Sequence, residues 1–471
     1  MSEFDIIIIG AGTGGYVCAI RAAQLGQRVA LVEKDRVGGV CLNWGCIPTK
    51  TLIAGAEAYL QARALASFGL RLEGTVSVDW PAMLVRKGQV VDTLVGGVVD
   101  LLEGYGVELV HGQARLSGPR TVEVALADGG QRTLETANVV IATGSVSARP
   151  PIPGLDSPGI VTSRGILDLE DIPPRLVIVG GGVIGVEFAA LFNALGAQVT
   201  VLEMLPYILP PVDREFAKRH RILLRQQGID VNVNAQVQEV ARQDGELVVR
   251  YSLKDRPQSV AADVVLNATG RVPFSEGLGL DEVGVAHHRG RVEVDDRLET
   301  NVPGIYAIGD VTGEVLLAHV ASRQGEVVAE VIAGHDSRMD YRAVPNVDFS
   351  MPEIAGVGLT SQEAKEQGIE LDVGVFPFTA SGKALAMGQA EGQVRLLCEP
   401  ASGKVLGMHV MGPGASDLVA EGALAVQMGL TARDLAETIH AHPTLPEAVA
   451  EAAREVAFGA SIHFRRLGRR G

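Results

Sequence analysis

A β-strand, a glycine-rich turn, a helix and a second strand ending in an acid occur twice in this chain, and that repeat limits its architecture more than any other feature. Residues 4–33 read FDIIIIGAGTGGYVCAIRAAQLGQRVALVE. An apolar strand, Phe4–Ile9, leads into Gly10, Gly12 and Gly15; a helical stretch follows to about Leu25; a strand at Val29–Val32 stops at Glu33. Residues 176–203, LVIVGGGVIGVEFAALFNALGAQVTVLE, repeat the plan with Gly180, Gly182, Gly185 and Glu203, and in both units the first glycine precedes the acid by 23 positions. The first glycine permits a tight strand-to-helix turn, the second lets backbone approach a pyrophosphate, and the third lets helix and strand pack closely. Phosphates favour the helix N-terminus, where free N–H groups and the helix dipole meet negative charge. The acid accepts hydrogen bonds from ribose hydroxyls. One such glycine pattern is weak, but two copies, each between a strand and a helix and each closed by an acid, predict two dinucleotide sites. At Glu203 a carboxylate opposes a 2′-phosphate, and the following MLPYILPP offers no arginine, which favours NAD over NADP at the second site.

The chain has 471 residues, enough for about three domains at roughly 100–200 residues each. Two further glycine turns close β-rich stretches, at Ala142-Thr143-Gly144 and Ala268-Thr269-Gly270, and Asp310 follows a short apolar strand in TNVPGIYAIGDV. By itself that aspartate reads as a turn former. Residues 341–399 alternate short β-like runs with turns, residues 415–439 read as helical, and no phosphate loop occurs there, so the last third is a separate domain. The expected class is α/β: two Rossmann-like dinucleotide-binding domains and a separate C-terminal α+β domain, with expected bounds 1–147, 148–272, 273–340 and 341–471.

The formal net charge of −15 disfavours nucleic acid and anionic membranes as partners. No run of about 18 uninterrupted apolar residues predicts a membrane span. The N-terminus carries no sign of a signal or transit peptide, so a cytoplasmic protein is expected. The basic tail RRLGRRG is expected to be disordered.

Four cysteines, Cys18, Cys41, Cys46 and Cys398, are too few for a secreted disulfide scaffold of this length. Cys41 and Cys46 lie five apart in GGVCLNWGCIPTK. Five residues of straight helix rise about 7.5 Å, whereas a disulfide needs Cα atoms within about 7 Å. A bridge therefore requires a broken turn, for which Gly45 and Pro48 are available. A helix beginning near Cys46 would favour a thiolate there. Two free buried thiols and a zinc site are the alternatives, but the spacing lacks the companion ligands zinc uses; no metal is expected.

Taken together, the first glycine loop, GGVCLNWGCIPTK, both ATG turns, the second glycine loop, YAIGD and HAHPTLPEA resemble the pyridine-nucleotide disulfide oxidoreductases, in order and over nearly the whole chain. The resemblance implies FAD at the first site, NAD at the second, a central return of residues 273–340 to the first domain, a C-terminal interface domain at 341–471 and a homodimer. WGCIPTK, EMLPYILPPVD and HAHPTLPEA are most similar to the members that oxidise dihydrolipoyl groups. The family's glutathione reductases carry basic residues after the second strand, and its mercuric reductases a C-terminal cysteine pair. By that resemblance Cys41 is the interchange thiol and Cys46 the thiolate beside the flavin. Lys50 approaches flavin N5 and pairs with Glu187, Asp310 binds the ribitol chain, Ala318 meets the pyrimidine edge through its backbone, and Val183 stands near the nicotinamide. Ala114, Thr143, Gly144, Val237 and Gly270 count among the cofactor contacts.

His442, with Glu447 five positions later, is implied as the base that reaches the disulfide of the other subunit; His440 is the nearby decoy. An imidazole is suited to deprotonate a thiol, and a carboxylate on its other nitrogen fixes the tautomer. Without that context, a histidine near an acid reads as a surface or satisfied core residue. Pro446 stands where the family commonly has serine, which makes local geometry at His442–Glu447 a point to examine. The implied partners are lipoylated domains and the subunit-binding domain of 2-oxoacid dehydrogenase complexes, or the glycine cleavage carrier. Reduction of a different disulfide or of a metal ion, and a non-catalytic flavoprotein scaffold, are the alternative functions.

Overall fold

A computed structural model describes residues 3–465; the reading made above for the basic tail lies, beyond Arg465, outside the described residues. The first repeat folds as expected: β1 (Phe4–Ile9), α1 (Thr13–Gln24) and β2 (Val29–Glu33). Two helices follow, α2 (Gly39–Trp44) and α3 (Cys46–Arg63), then the long α4 (Trp80–Gly104) and strands β3 (Glu108–Gly118), β4 (Thr121–Leu126) and β5 (Gln131–Ile141). β1 is central and parallel to both neighbours, with Ile7 opposite Ala30 of β2 and Val139 of β5. Ile6, Ile7 and Ile8 are fully buried, as a parallel strand covered on both faces must be. The strand Ile305–Ala307 comes late in the chain and pairs in parallel with β5. The outer half of β3, β4 and the start of β5 form an antiparallel extension.

The second repeat copies this arrangement. The strand Arg175–Val179, helix α5 (Val183–Ala194) and strand Gln198–Glu203 match β1, α1 and β2. The parallel sheet is completed by Asp230–Val233, Val264–Asn267 and Ile160–Val161, and it too carries a three-stranded antiparallel extension, residues 235–262. Helix α6 (Arg214–Gln226) packs its buried Phe216, Ala217 and Leu224 against this unit. The two units are stitched by strands Ser145–Ser147 and Arg271–Pro273, antiparallel partners that follow the two ATG turns.

The last third is an antiparallel five-stranded sheet between residues 346 and 411 with helices beside it. The single helical stretch expected over 415–439 is two helices, Ala415–Met428 and Ala432–Glu437. Gly429, with φ of 68°, ends the first in the left-handed conformation, and Thr431 starts the second with a capping box to Asp434. Cys18 and Cys398 are fully buried packing residues, and burial pushes both thiols up to about 12. Among the described residues no helix is long and apolar enough to cross a membrane.

Candidate active site

Each glycine loop has a tight side and an open side. Gly10 adopts φ of 106°, and a Cβ there would run into the carbonyl of Ala142 in the first ATG turn; a Cβ on Gly15 would run into the carbonyl of Gly10. Gly180, with φ of 111°, stands in the same way against Ala268, and Gly185 against Gly180. By contrast, a Cβ on Gly12, Gly182, Gly144 or Gly270 would meet no atom within 4 Å. Gly12 and Gly182 are the N-caps of α1 and α5, and neither helix start is capped by a side chain. Open, uncapped helix N-termini fit a pyrophosphate at each unit.

The two acids do more than the sequence reading assigned them. Glu33 accepts from the N–H of Ala11 at 2.7 Å and of Asp35 at 2.8 Å; Glu203 accepts from Gly181 at 2.6 Å and Leu205 at 2.7 Å. Each carboxylate thus braces its own glycine loop and holds the following turn. Glu33 pairs across the sheet with His111, and Ala114 lies three residues beyond on β3. Glu203 pairs with Val233, and Val237 lies four residues beyond. Both are buried, so their backbone and position, not a polar side chain, are what they offer. Val183 is the first residue of α5 and is half-buried. Thr143 donates its hydroxyl to the carbonyl of Phe274 at 2.5 Å, tying the first ATG turn to the strand that follows the second.

The sulfur pair sits at a break between helices. α2 ends at Trp44, Gly45 takes φ −141° and ψ −112°, and α3 begins at Cys46. A Cβ on Gly45 would lie 2.9 Å from the carbonyl of Val40. Pro48, which the sequence reading counted with Gly45 as a turn maker, lies inside the first turn of α3, where its missing N–H breaks no helical bond. Asn43 donates to the carbonyls of Val37 and Gly39, both at 2.9 Å, and fixes the approach. Both cysteines are half-buried free thiols, hydrogen-bonded to each other. That bond, then burial and the Cys46 charge, push the Cys41 thiol up. The Cys46 thiol is lowered, first by the hydrogen bond from Cys41 and then by the Lys50 charge, against burial and Glu187. Its place as first residue of α3 adds the helix dipole in the same direction.

Lys50, one turn along α3, binds both oxygens of Glu187 on α5, at 2.6 and 2.8 Å. The Phe349 ring lies 4.5 Å from its ammonium, and the Phe349 N–H donates to Glu187 at 3.1 Å. Asp310 falls in a 3-10 turn, Gly309–Thr312, where Ser145 donates its hydroxyl to the carboxylate and Arg271 stands 4.0 Å away. Ala318 is the first residue of the helix Ala318–Ile332, with its N–H free of helical bonding. Arg271 and Ser145 were not assigned from sequence. Arg271 is bonded to Ser145 Oγ at 2.8 Å and to its carbonyl at 2.5 Å. Burial lowers its guanidinium while the charges of Asp310 and Cys46 oppose that, so it links the two halves of the site. The only signal was its position directly after the second ATG turn.

His442 and Glu447 form a second, separate cluster. His442 Nδ1 lies 2.8 Å from Glu447, which also accepts from the Thr444 N–H at 2.8 Å. Burial acts to raise the Glu447 carboxyl, but these bonds and the neighbouring histidines outweigh it and hold it below the usual range. Pro446 adopts helical angles at the N-cap of the helix Glu447–Phe458, where no N–H is asked of it while its carbonyl accepts from Val449 at 2.9 Å, and the His442–Glu447 contact is intact. The His442 side chain is 80% exposed. Among the described residues the sulfur pair is not one of its partners. His440 instead bonds Glu421 at 3.0 Å and the carbonyl of Thr438 at 2.9 Å.

Residues 4–325 match the family model for pyridine nucleotide-disulphide oxidoreductase, and residues 344–453 match that family's dimerisation domain, which supports a homodimer. A dihydrolipoyl dehydrogenase of Geobacillus stearothermophilus is 43% identical over 98% of this chain and 97% of its own length. Among solved structures, LpdA from Mycobacterium tuberculosis superposes with a TM-score of 0.89 at 29% identity, over 96% of this chain and 99% of its own. The HOCl-induced flavoprotein disulfide reductase RclA from Escherichia coli, in its Cu(II) complex, gives 0.86 at 30% identity, over 97% of this chain and all of its own. Two open glycine loops, a thiol pair at a helix start and matches across almost the full length place this chain in the pyridine nucleotide-disulphide oxidoreductase family.

Proposed function

We propose that this chain catalyses the dihydrolipoyl dehydrogenase reaction, oxidising protein-bound dihydrolipoyl groups with FAD and NAD⁺. The observation that carries the chemistry is the Cys41–Cys46 pair at the start of α3, with Lys50–Glu187 one turn away and the first glycine loop upstream; similarity along the full chain to dihydrolipoyl dehydrogenases selects the substrate. The first unit would hold FAD through the loop at Gly10, Gly12 and Gly15, Glu33, Ala114, Thr143, Gly144, Asp310 and Ala318. The second would hold NAD through Gly180, Gly182, Val183, Gly185, Glu203, Val237 and Gly270. Bound flavin supplies a two-electron acceptor for the sulfur pair and a hydride for the nicotinamide.

The chain's own residues carry the thiol chemistry. In the oxidised form Cys41 and Cys46 share a disulfide. A substrate thiol gives its proton to His442 of the partner subunit, whose imidazolium Glu447 stabilises. The substrate thiolate attacks the Cys41 sulfur, and the Cys41–Cys46 bond breaks with Cys46 leaving as a thiolate that Lys50 and the helix dipole favour. The second substrate thiol then gives up its proton as its sulfur attacks the first; the mixed disulfide bond to Cys41 breaks, cyclic lipoyl disulfide is released, and Cys41 leaves with that proton as a thiol. The exposed His442 and the half-buried sulfurs support completion of this site in a dimer.

The domain bounds at 147, 272 and 340 belong to the same proposal, supported by the sheet to which each strand belongs. So do a cytoplasmic location and, as partners, lipoylated domains and the subunit-binding domain of 2-oxoacid dehydrogenase complexes or the glycine cleavage carrier. The test is a steady-state assay of purified protein with dihydrolipoamide and NAD⁺, beside a panel of other disulfides and Cu(II) with NADH. Turnover of dihydrolipoamide well above the panel is expected; preference for another disulfide or the metal ion would replace the substrate assignment.

A further inference from the structure

The strand Asn346–Asp348 ends against the Lys50–Glu187 pair, and it brings a second carboxyl there, Asp348, only 1% exposed. Ser350 and His220 of α6 are fully buried beside it. The Ser350 hydroxyl lies 2.8 Å from His220 Nε2 and is hydrogen-bonded to Asp348 Oδ1, which also accepts from the Ser350 N–H at 3.1 Å. Asp348 Oδ2 and His220 Nδ1 are buried with no hydrogen-bond partner among the described residues. None of the three has a part in the thiol chemistry above.

The hydroxyl proton has three acceptors in reach, His220 Nε2, Asp348 Oδ1 and, at 3.4 Å, the carbonyl of Pro352; the two shorter contacts leave two main arrangements. If Asp348 is ionised, Ser350 donates to it and His220 donates Nε2–H to Ser350. That leaves a bare carboxylate oxygen buried next to anionic Glu187, a costly arrangement. If Asp348 is protonated, it donates to Ser350, Ser350 donates to His220 Nε2, and His220 keeps its proton on Nδ1, which leaves an unpaired but uncharged N–H in place of an unpaired anionic oxygen. Charged groups around Asp348 are Glu187 on α5 and Lys50 on α3, with His220 on α6 closing the chain. The paired strand Ile354–Gly358 carries no ionisable side chain, and the helix Ala415–Met428 brings Asp417 and Glu421, the latter held by His440.

We infer that Asp348, Ser350 and His220 form a buried proton-holding triad in which Asp348 is a neutral acid, leaving Glu187 as the anionic partner of Lys50, and that its ionisation draws the Lys50 charge away from Cys46. Burial, then the Glu187 charge, raise the Asp348 carboxyl to about 7, and burial lowers the His220 imidazole to about 3, which agrees with a neutral pair. On ionisation the Asp348 proton passes to Ser350 Oγ, the Ser350 proton passes to His220 Nε2, and the Nδ1 proton leaves. Asp348 is thus a positioning residue; the inference rests on the reading of Cys46 and Lys50 as redox machinery.

The direct test is the infrared spectrum of holoenzyme carrying ¹³C-labelled aspartate. Well below pH 7 a protonated, buried aspartate band is expected; it fades on titration through about 7 and is absent in Asp348→Asn. Its absence from the wild type, or its persistence in the variant, overturns the assignment. If the variant does not fold, the labelled wild type alone decides. In a Cys41→Ser background, alkylation of Cys46 gives the second readout, since Cys18 and Cys398 are buried with thiols raised to about 12. Above pH 7, Asp348→Asn should react several-fold faster than its parent, with no difference below; superimposed profiles overturn the coupling. The infrared band does not depend on lipoamide turnover, so this inference and the proposed function fail separately.

Discussion

The sulfur pair and the His442–Glu447 pair serve one proposed reaction but are built in opposite ways. Cys41 and Cys46 are half-buried and partnered inside their own chain, by each other and by the charge of Lys50. His442 is 80% exposed and holds one polar partner, Glu447. Under the proposed function this difference assigns the electron path to one chain and the proton path to two, which makes dimerisation a condition of thiol exchange but not of flavin reduction by NADH.

The largest expected effect breaks the proton path alone. His442→Gln should lower dihydrolipoamide turnover by about 10²–10⁴-fold, the usual contribution of a positioned base, while stopped-flow reduction of the flavin by NADH stays near wild type. Comparable losses in both half-reactions would erase the division. On the electron side, Lys50→Met leaves Glu187 buried without its cation, which costs about 3–5 kcal/mol by removal of one partner of a buried pair. It should also raise the Cys46 thiol and slow its alkylation at neutral pH by roughly tenfold per pKa unit. Unfolding curves and a pH–alkylation profile measure both.

The pH dependence sharpens the contrast further. Because the Cys46 pKa is lowered, its thiolate is present above that value and is lost as pH falls through it. In Cys41→Ala the first cause of the lowering is removed, so the same loss should occur at higher pH; an unchanged profile would assign the lowering to Lys50 and the helix alone. For stability, His220 is lowered to about 3, so between that value and the ordinary histidine range the unfolded chain binds the extra proton. Its stabilising contribution is complete above the unfolded pKa and declines as pH falls. His220→Gln should flatten this acid limb in denaturant titrations. The smallest effect concerns the second dinucleotide. Glu203 is fixed by Gly181 and Leu205, so NADPH should reduce the flavin more slowly than NADH, and equal rates would remove Glu203 from specificity.

Local patterns were legible in the sequence, and contacts made across long separations were not. The strand and helix bounds of both repeats follow from the glycine spacing because the glycines answer a local steric demand, at Gly15 against Gly10 and at Gly185 against Gly180. Gly45 as the break between Cys41 and Cys46 was likewise readable, whereas Pro48 was misread because a proline in the first turn of a helix is tolerated. The split at Gly429 was missed because apolar periodicity resumes directly after Thr431. Lys50–Glu187 came through resemblance, not through any rule linking residues 137 positions apart. Arg271 with Ser145, and Asp348 with His220, depend on how the second unit and the last third fold back on the first, for which no local signal exists.

The most direct measurement is anaerobic titration of the purified holoenzyme with dihydrolipoamide, followed in the visible spectrum. A Cys46 thiolate beside the flavin predicts a long-wavelength charge-transfer band after two electrons have entered, absent in Cys46→Ser. A wild-type protein that holds no flavin, or that takes up two electrons from dihydrolipoamide without that band, would contradict it.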